Sequence, residues 1–347
     1  MNGVLGAARN LPVPPDPLHW SAAADMPLRG RHNSHVPRDG RIGVVGATGA
    51  VGSVTLQLLR ERGYENVRAF ASARSAGRRL GDVTVEEATP AALEAAGLDV
   101  CLFSVGASAS RALVSPAVAG GAIAIDKSSA YRLQESVPLV VPEVNGDRAL
   151  EHDGIVANPN CCAIPLTMAL KPLHDAAGLE RVRVSTYQSV SGAGAQRMEQ
   201  LHATPPGETD LAMDWDFDGV EFEEESKLRA ETRKILELPD LPISATTVRV
   251  PVLIGHAEAV WVETVDGLSA DDARRLLESA PGVCVMEFPT PRLASGRDDV
   301  LVGRIREDRA CANGLVLFVV ADNLRKGAAL NAIQIAELLL VRDVARA

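Results

Sequence analysis

Apolar periodicity begins abruptly at Arg41. RIGVVGATGAVGSVTLQLLRERG reads as a short buried strand, a glycine turn and a helix, with Val51, Val54, Thr55, Leu58 and Leu59 on one stripe. VRAFAS and DVCLFSV follow as strands, and ASASRALVSPAVAGG as a helix cut by Pro116. AIAIDKSSA and PLVVPEV add two further strand-like runs. Strands alternating with helices predict a doubly wound, parallel α/β sheet. After Asn160 the pattern becomes β-rich: RVRVSTYQSV, TTVRVPVLIG, AEAVWVETV, GVCVMEF, DVLVGRIRE and GLVLFVVAD. Between two of these lies SADDARRLLESA, where Ser269 and Asp272 have capping-box spacing. This second part is expected to be an α+β domain built on one large mixed sheet. The closing GAALNAIQIAELLL is apolar enough to be a buried helix, placed back on the first domain. The expected division is therefore 41–160 completed by 324–345, and 161–323. Residues 1–40 lack periodicity and are rich in Pro, Gly, Arg and His. They read either as a disordered extension or as an upstream start.

The 347 residues carry a net charge of −10 and are 46% hydrophobic, with only 3% aromatics. The core must then be aliphatic, and a nucleic-acid partner is disfavoured, since phosphate binding needs a basic face. No apolar run is long enough for a transmembrane helix, and the N-terminus lacks a signal-peptide core. Five cysteines without a CxxC pair argue against a zinc ribbon or a disulfide scaffold. A reducing, cytoplasmic compartment is the expectation, with no bound metal.

The turn GATGAVG places Gly46, Gly49 and Gly52 between a strand and a helix. Such glycines let the backbone approach a pyrophosphate at the helix N-terminus, as in a Rossmann-like cofactor domain. A plain structural turn is the other reading. The next strand ends in ASARSAG, without the acid that accepts a ribose 2′-hydroxyl. Arg74 between Ser72 and Ser75 instead suits a 2′-phosphate, and so NADP(H), unless Arg74 is a solvated surface residue.

NPNCCAIPLTMAL sets vicinal cysteines after an Asn158-Pro159 turn, at the start of a helix. Free N–H groups and the helix dipole there favour a thiolate, the nucleophilic form. Pro165 fits the first turn, where an N–H has no partner. Cysteine is also a common small core residue. Spacing alone leaves open whether either sulfur reacts, although Cys161 lies nearer the open helix end and Cys162 is placed to pack inward.

Seven blocks in order, GATGAVG, ASARSAG, VPLVVPEVN, NPNC, YQSVSGAG, RVPVLIGHAE and DNLRKGAALN, resemble the aspartate-semialdehyde dehydrogenase family over about residues 41–345. The resemblance implies NADPH-dependent reduction of L-aspartyl 4-phosphate through a cysteine thioester, with release of inorganic phosphate, in a homodimer or homotetramer. It implies Cys161 as nucleophile, His256 as acid/base and Gln188 as the group that positions the acyl carbon. Arg132, Lys227 and Asn160 are implied on the phosphate, Glu224 on the substrate ammonium and Arg249 on its α-carboxylate. Arg249 sits in an apolar strand, where an arginine is costly unless paired, which supports a functional role. The EEESKLRAETRKI run by itself reads more simply as a solvated helix face. To the cofactor the resemblance assigns Gly46, Thr48, Gly49, Ala50, Val51, Gly52, Ser72, Arg74, Ser75, Ser104, Gly106, Ser191, Gly192 and Asn323. Two positions depart from the family pattern: Lys127 stands where Asn is frequent, and Ala107 where a second glycine is common.

N-acetyl-glutamyl-phosphate reductase uses the same acyl-phosphate logic, but its N-acylated substrate needs no partner such as Glu224. A catalytically silent paralogue and a pure NADP-binding sensor are the readings from other classes.

Overall fold

The computed structural model describes residues 38–204 and 208–346; the expectation for 1–40 lies, up to residue 37, outside them. The first half forms β1 (Ile42–Val45), α1 (Ala50–Glu61), β2 (Val67–Ala71), β3 (Arg79–Leu80), β4 (Val83–Glu87), α2 (Pro90–Glu94), β5 (Val100–Phe103), α3 (Ala107–Ala119), β6 (Ile123–Asp126), α4 (Pro142–Asn145) and β7 (Ile155–Ala157). Its strands make one sheet in the order β3-β4-β2-β1-β5-β6-β7. All pairings are parallel except β3 with β4 at the edge. Strand order reverses at β1 and β5, the place where open α/β sheets bind ligands.

The second half forms α5 (Ala163–Ala177), β8 (Leu179–Gln188), α6 (Ala195–Ala203), α7 (Glu223–Leu236), β9 (Ile243–Arg249), β10 (His256–Thr264), α8 (Ala270–Ser279), β11 (Val283–Val285), α9 (Pro291–Ala294), β12 (Val300–Glu307), β13 (Gly314–Ala321) and α10 (Leu330–Arg346). A mixed six-stranded sheet runs β11-β12-β13-β10-β8-β9, parallel at both ends and antiparallel between. Each of the six β-rich runs of the sequence supplies one strand. Ser269 caps α8, accepting from the Asp272 N–H at 3.1 Å.

Alternation sorts the side chains. Ile42, Val44, Val100, Leu102 and Ile125 of the parallel sheet pack with α1 and with Leu330, Ile333, Ile335 and Leu339 of α10. Val45, Phe70, Cys101 and Phe103 face the other way. They join a core that continues through α5 to Val182, Val184, Val260, Val262, Leu317 and Val319 of the mixed sheet. Polar ties also hold α10. Glu337 accepts from Arg62 and Arg38, and the buried Lys326 ammonium donates to Glu143, Asn331 and Gln334 at 2.6–3.0 Å.

Two local expectations are corrected. Pro116 does not cut α3, which continues to Ala119. The proline falls in the last turn, and burial of Leu113, Val114 and Ala117 offsets the one lost backbone bond. PLVVPEV does not form a strand. Prolines at 138 and 142 remove donors on both sides, leaving a bridge between Leu139 and Ala157, and Pro142 starts α4 instead.

Candidate active site

The turn after β1 is tight for a steric reason. Gly46 has φ +82°, and a Cβ there would lie 2.3 Å from the Ser104 carbonyl oxygen. A Cβ on Gly52 would lie 2.1 Å from the Gly46 carbonyl oxygen. Gly49 caps α1 without a side-chain bond, so the first N–H groups of that helix have no capping side chain. Thr48 and Ser75 approach to 3.5 Å between hydroxyls, which brings the 72–75 segment beside the turn, and Arg74 there is exposed. Gly106 caps α3 with nothing within 4 Å of a notional Cβ. The protein thus leaves backbone N–H groups, hydroxyls and one exposed cation around the switch point, a set that fits a dinucleotide with a 2′-phosphate.

A cleft of about 300 Å³ opens from this turn toward the mixed sheet. Val51, Ser104, Ser191, Gly192 and Asn323 line it together with Cys161, Asn160, Gln188, Glu224, Arg132 and Arg249. Cys161 lies two residues ahead of α5, part-buried, while Cys162 is wholly buried in the core. The turn is built by Asn160, whose Oδ1 accepts from the Cys162 N–H at 2.7 Å. The sulfurs of Cys161 and Cys162 and an imidazole nitrogen of His256 lie within 4.8 Å of one another.

The Cys162 thiol donates to Cys161 and, against the cost of burying charge, holds Cys161 well below the ordinary thiol range. The His256 imidazole and the Arg132 guanidinium add to that effect. Burial pushes Cys162 in the opposite direction, with the Cys161 interaction reinforcing it. One sulfur is therefore prepared as the anion and the other kept as its proton donor.

His256 is fixed at Nδ1 by two groups of Ser189. The backbone N–H donates at 3.0 Å, and the hydroxyl lies 3.1 Å away. The backbone N–H requires a lone pair on Nδ1, which sets the tautomer with the ring proton on Nε2. Nε2 is buried without a hydrogen-bond partner. Ser189 in turn donates to Asn323 Oδ1 at 3.0 Å, and Asn323 Nδ2 donates to Ser191 at 2.9 Å. Ser191 and Asn323 therefore brace the imidazole as well as lining the cleft.

Helix α7 brings its acids inward. Glu225 accepts from the Thr247 N–H of β9 and from the Phe222 N–H, pinning the helix start. Glu224, Leu228, Glu231 and Ile235 then share the buried stripe. Glu224 Oε1 accepts from Asn160 Nδ2 at 2.9 Å and from Gln188 Nε2 at 3.0 Å. Glu231 accepts from Arg132 at 2.9 Å and from the Asn160 N–H at 2.6 Å, and burial pushes its carboxyl up. Lys227 is not brought to the cleft: its Nζ pairs with Glu223 at 2.6 Å on the same helix. Lys127 does line the cleft, and burial pushes its ammonium down to about 7, with Asp126 opposing.

Sequence reasoning missed Glu231, Ser189, Asp214, Trp215 and Glu258. Glu231 had a signal, since it follows Glu224 by seven residues on the Leu228/Ile235 stripe. Ser189 sits inside a quoted motif but carries no spacing cue. Asp214 and Trp215 lie in an irregular segment.

Comparison with known proteins agrees with this architecture. A model of the semialdehyde dehydrogenase NAD binding domain matches residues 41–152, and one of the semialdehyde dehydrogenase dimerisation domain matches 170–221 and 213–326. Aspartate-semialdehyde dehydrogenase of Streptomyces akiyoshiensis is 46% identical over 336 residues, covering 86% of this chain and 98% of the relative. That of Bacillus subtilis is 43% identical over 350 residues, covering 90% and 98%. The crystal structure of Vibrio cholerae aspartate semialdehyde dehydrogenase II complexed with ASA superposes with a TM-score of 0.82 at 39% identity, covering 88% of this chain and 99% of that one. The Candida albicans enzyme, solved with NADP, gives a TM-score of 0.72 at 26% identity, covering 88% and 99%. On this agreement of site, fold and sequence, the chain belongs to the aspartate-semialdehyde dehydrogenase family, enzymes of aspartate-family amino-acid biosynthesis.

Proposed function

We propose that the cleft carries out the reversible, NADP(H)-dependent reductive dephosphorylation of L-aspartyl 4-phosphate to L-aspartate 4-semialdehyde through a thioester on Cys161. The observation that carries this reading is the Cys161–Cys162–His256 cluster, whose Cys161 lines the cleft that Val51 of the glycine turn also lines. Gly46, Thr48, Gly49, Ala50, Val51 and Gly52 would hold the pyrophosphate, Ser72, Arg74 and Ser75 the 2′-phosphate, and Ser104, Gly106, Ser191, Gly192 and Asn323 the remainder of the cofactor. When bound, the nicotinamide supplies the hydride.

In the biosynthetic direction the Cys161 thiolate attacks the acyl carbon, the carbon–oxygen bond to phosphate breaks, and a thioester remains. Arg132, paired with Glu231 and aimed into the cleft, stabilises the departing phosphate, and Asn160 lies beside it. Lys227 joins them only by leaving Glu223. Gln188 orients the acyl carbon. His256 serves as the acid/base at the oxyanion left after hydride arrival and at the collapse that breaks the carbon–sulfur bond and frees the aldehyde. Glu224 meets the substrate ammonium, and Arg249 its α-carboxylate. Glu224 is also what favours this substrate over an N-acylated one.

The test is phosphate-dependent reduction of NADP+ by L-aspartate 4-semialdehyde, followed by absorbance. Wild type turns over, and Cys161→Ala has no measurable rate while His256→Asn retains a slow one. A Cys161→Ala enzyme running at near-normal rate, or turnover confined to N-acetyl-glutamate semialdehyde, would overturn the reading.

The same reading divides the chain into a cofactor domain, 41–160 with 324–345, and a catalytic and dimerisation domain, 161–323. The outer face of the mixed sheet carries Tyr187, Trp261 and Phe318, part-exposed side chains that suit a homodimer contact, with a homotetramer as its possible extension. No described helix is long and apolar enough to cross a membrane, and all five cysteines are unpaired. Reduced thiols of this kind suit a cytoplasmic enzyme.

A further inference from the structure

Arg249 is already engaged. Its Nε donates to both oxygens of Asp214, at 2.8 and 3.0 Å, and Nη1 donates to the Ser189 carbonyl at 3.0 Å. The guanidinium lies 4.6 Å from the centre of the Trp215 ring. Backbone pairing delivers this acid to its partner. The Ala212 N–H donates to the Arg249 carbonyl and the Arg249 N–H to the Ala212 carbonyl, both at 2.8 Å, two residues before Asp214. Arg197 approaches Asp214 from the other side at 3.2 Å. Burial opposes charge on Asp214, but the two arginines outweigh it and hold its carboxyl below the usual range.

A guanidinium binds a carboxylate in bidentate fashion along Nη1/Nη2 or along Nε/Nη2. With Nε on Asp214 the Nε/Nη2 edge is taken, and Ser189 holds one of the two Nη1 protons, so only the Nη1/Nη2 edge is left. We propose that Asp214 is a specificity-determining residue, an internal carboxylate that competes with the substrate's α-carboxylate for Arg249. This rests on the reading of Arg249 given above. An incoming α-carboxylate reaches the Nε edge only by displacing Asp214, and at the remaining edge it meets a guanidinium whose charge Asp214 already offsets, so the segment raises the concentration at which such substrates fill the cleft. A substrate lacking that carboxylate meets no such competition.

The experiment compares L-aspartate 4-semialdehyde with 3-aminopropanal, which keeps the aldehyde and amine and lacks the carboxylate. In full-length Asp214→Asn and Asp214→Ala, KM for the semialdehyde falls about tenfold, the scale of one charge-assisted hydrogen bond. The value of kcat/KM for 3-aminopropanal stays unchanged. An unchanged or raised semialdehyde KM in both variants overturns the proposal, the latter making Asp214 a positioning residue for Arg249. Arg249→Met separates the two layers: a wild-type KM for the semialdehyde in that variant means Arg249 does not bind the carboxylate at all, whatever Asp214 does.

Discussion

Cys161 owes its charge chiefly to its neighbour. Replacing Cys162 by Ala removes the donor thiol, so the pH midpoint for alkylation of Cys161 by iodoacetamide should move up, while Cys162→Ser, which keeps a donor, should restore part of the shift. An unmoved midpoint in Cys162→Ala would leave the helix end, His256 and Arg132 as the causes. Glu258 is the second residue to probe. It is fully buried beside the Cys162 thiol, and burial, reinforced by the Cys161 charge and only partly opposed by Cys162, pushes its carboxyl well above the usual range. A raised folded pKa means that the native state keeps a proton the unfolded chain has lost. The associated stability is complete below about pH 4, the unfolded carboxylate range, and is lost as pH rises through the folded value. Glu258→Gln, which does not titrate, should therefore melt close to wild type near pH 5 and several degrees above it near pH 9. A gap independent of pH would mean that Glu258 is ionised in the fold. Cys161 and His256 were legible because short motifs carry them. Glu258 and Glu231 were not, because a carboxyl's burial depends on what packs over it, and charged letters in a sequence read as surface.

At the scale of elements, the β1–α1 unit was readable because the pattern changes from a continuous apolar run to a helical stripe across one turn. Its tolerance is narrow. Gly52→Ala would set a methyl 2.1 Å from the Gly46 carbonyl oxygen, so the helix must shift. We expect a loss of about 1–3 kcal/mol of stability and at least tenfold weaker NADP(H) binding, measured by thermal unfolding and fluorescence titration. Normal affinity in that variant would remove the turn from the cofactor site. Helix α7 was harder to read. Its EEES start looks solvated until β9 supplies the Thr247 N–H that takes Glu225 inward, and no local periodicity encodes that partner. PLVV failed as a strand for a related reason: apolar composition was right, but flanking prolines removed the ladder bonds.

For the whole molecule, alternation along β8, β10 and β13 separates an inner face, packed on α5, from an outer one bearing Tyr187, Trp261 and Phe318. If the outer face joins two copies, sedimentation velocity should report a dimer, and Phe318→Asp should shift it toward monomer with a lower melting temperature. A wild-type monomer at micromolar concentration would exclude that surface. The two-sheet plan was visible in the sequence because the pattern switches near Asn160; the assembly was not, since a half-exposed aromatic reads alike on a free surface and an interface. The placement of α10 has a consequence for synthesis. One face of the parallel sheet is covered by α10, which follows every strand in the chain, and a Cβ added to Gly327, just ahead of that helix, would lie 3.2 Å from the Cys161 Cβ. Until α10 is made and docks, that aliphatic face stays uncovered, so the first sheet cannot close before the mixed sheet has been synthesised.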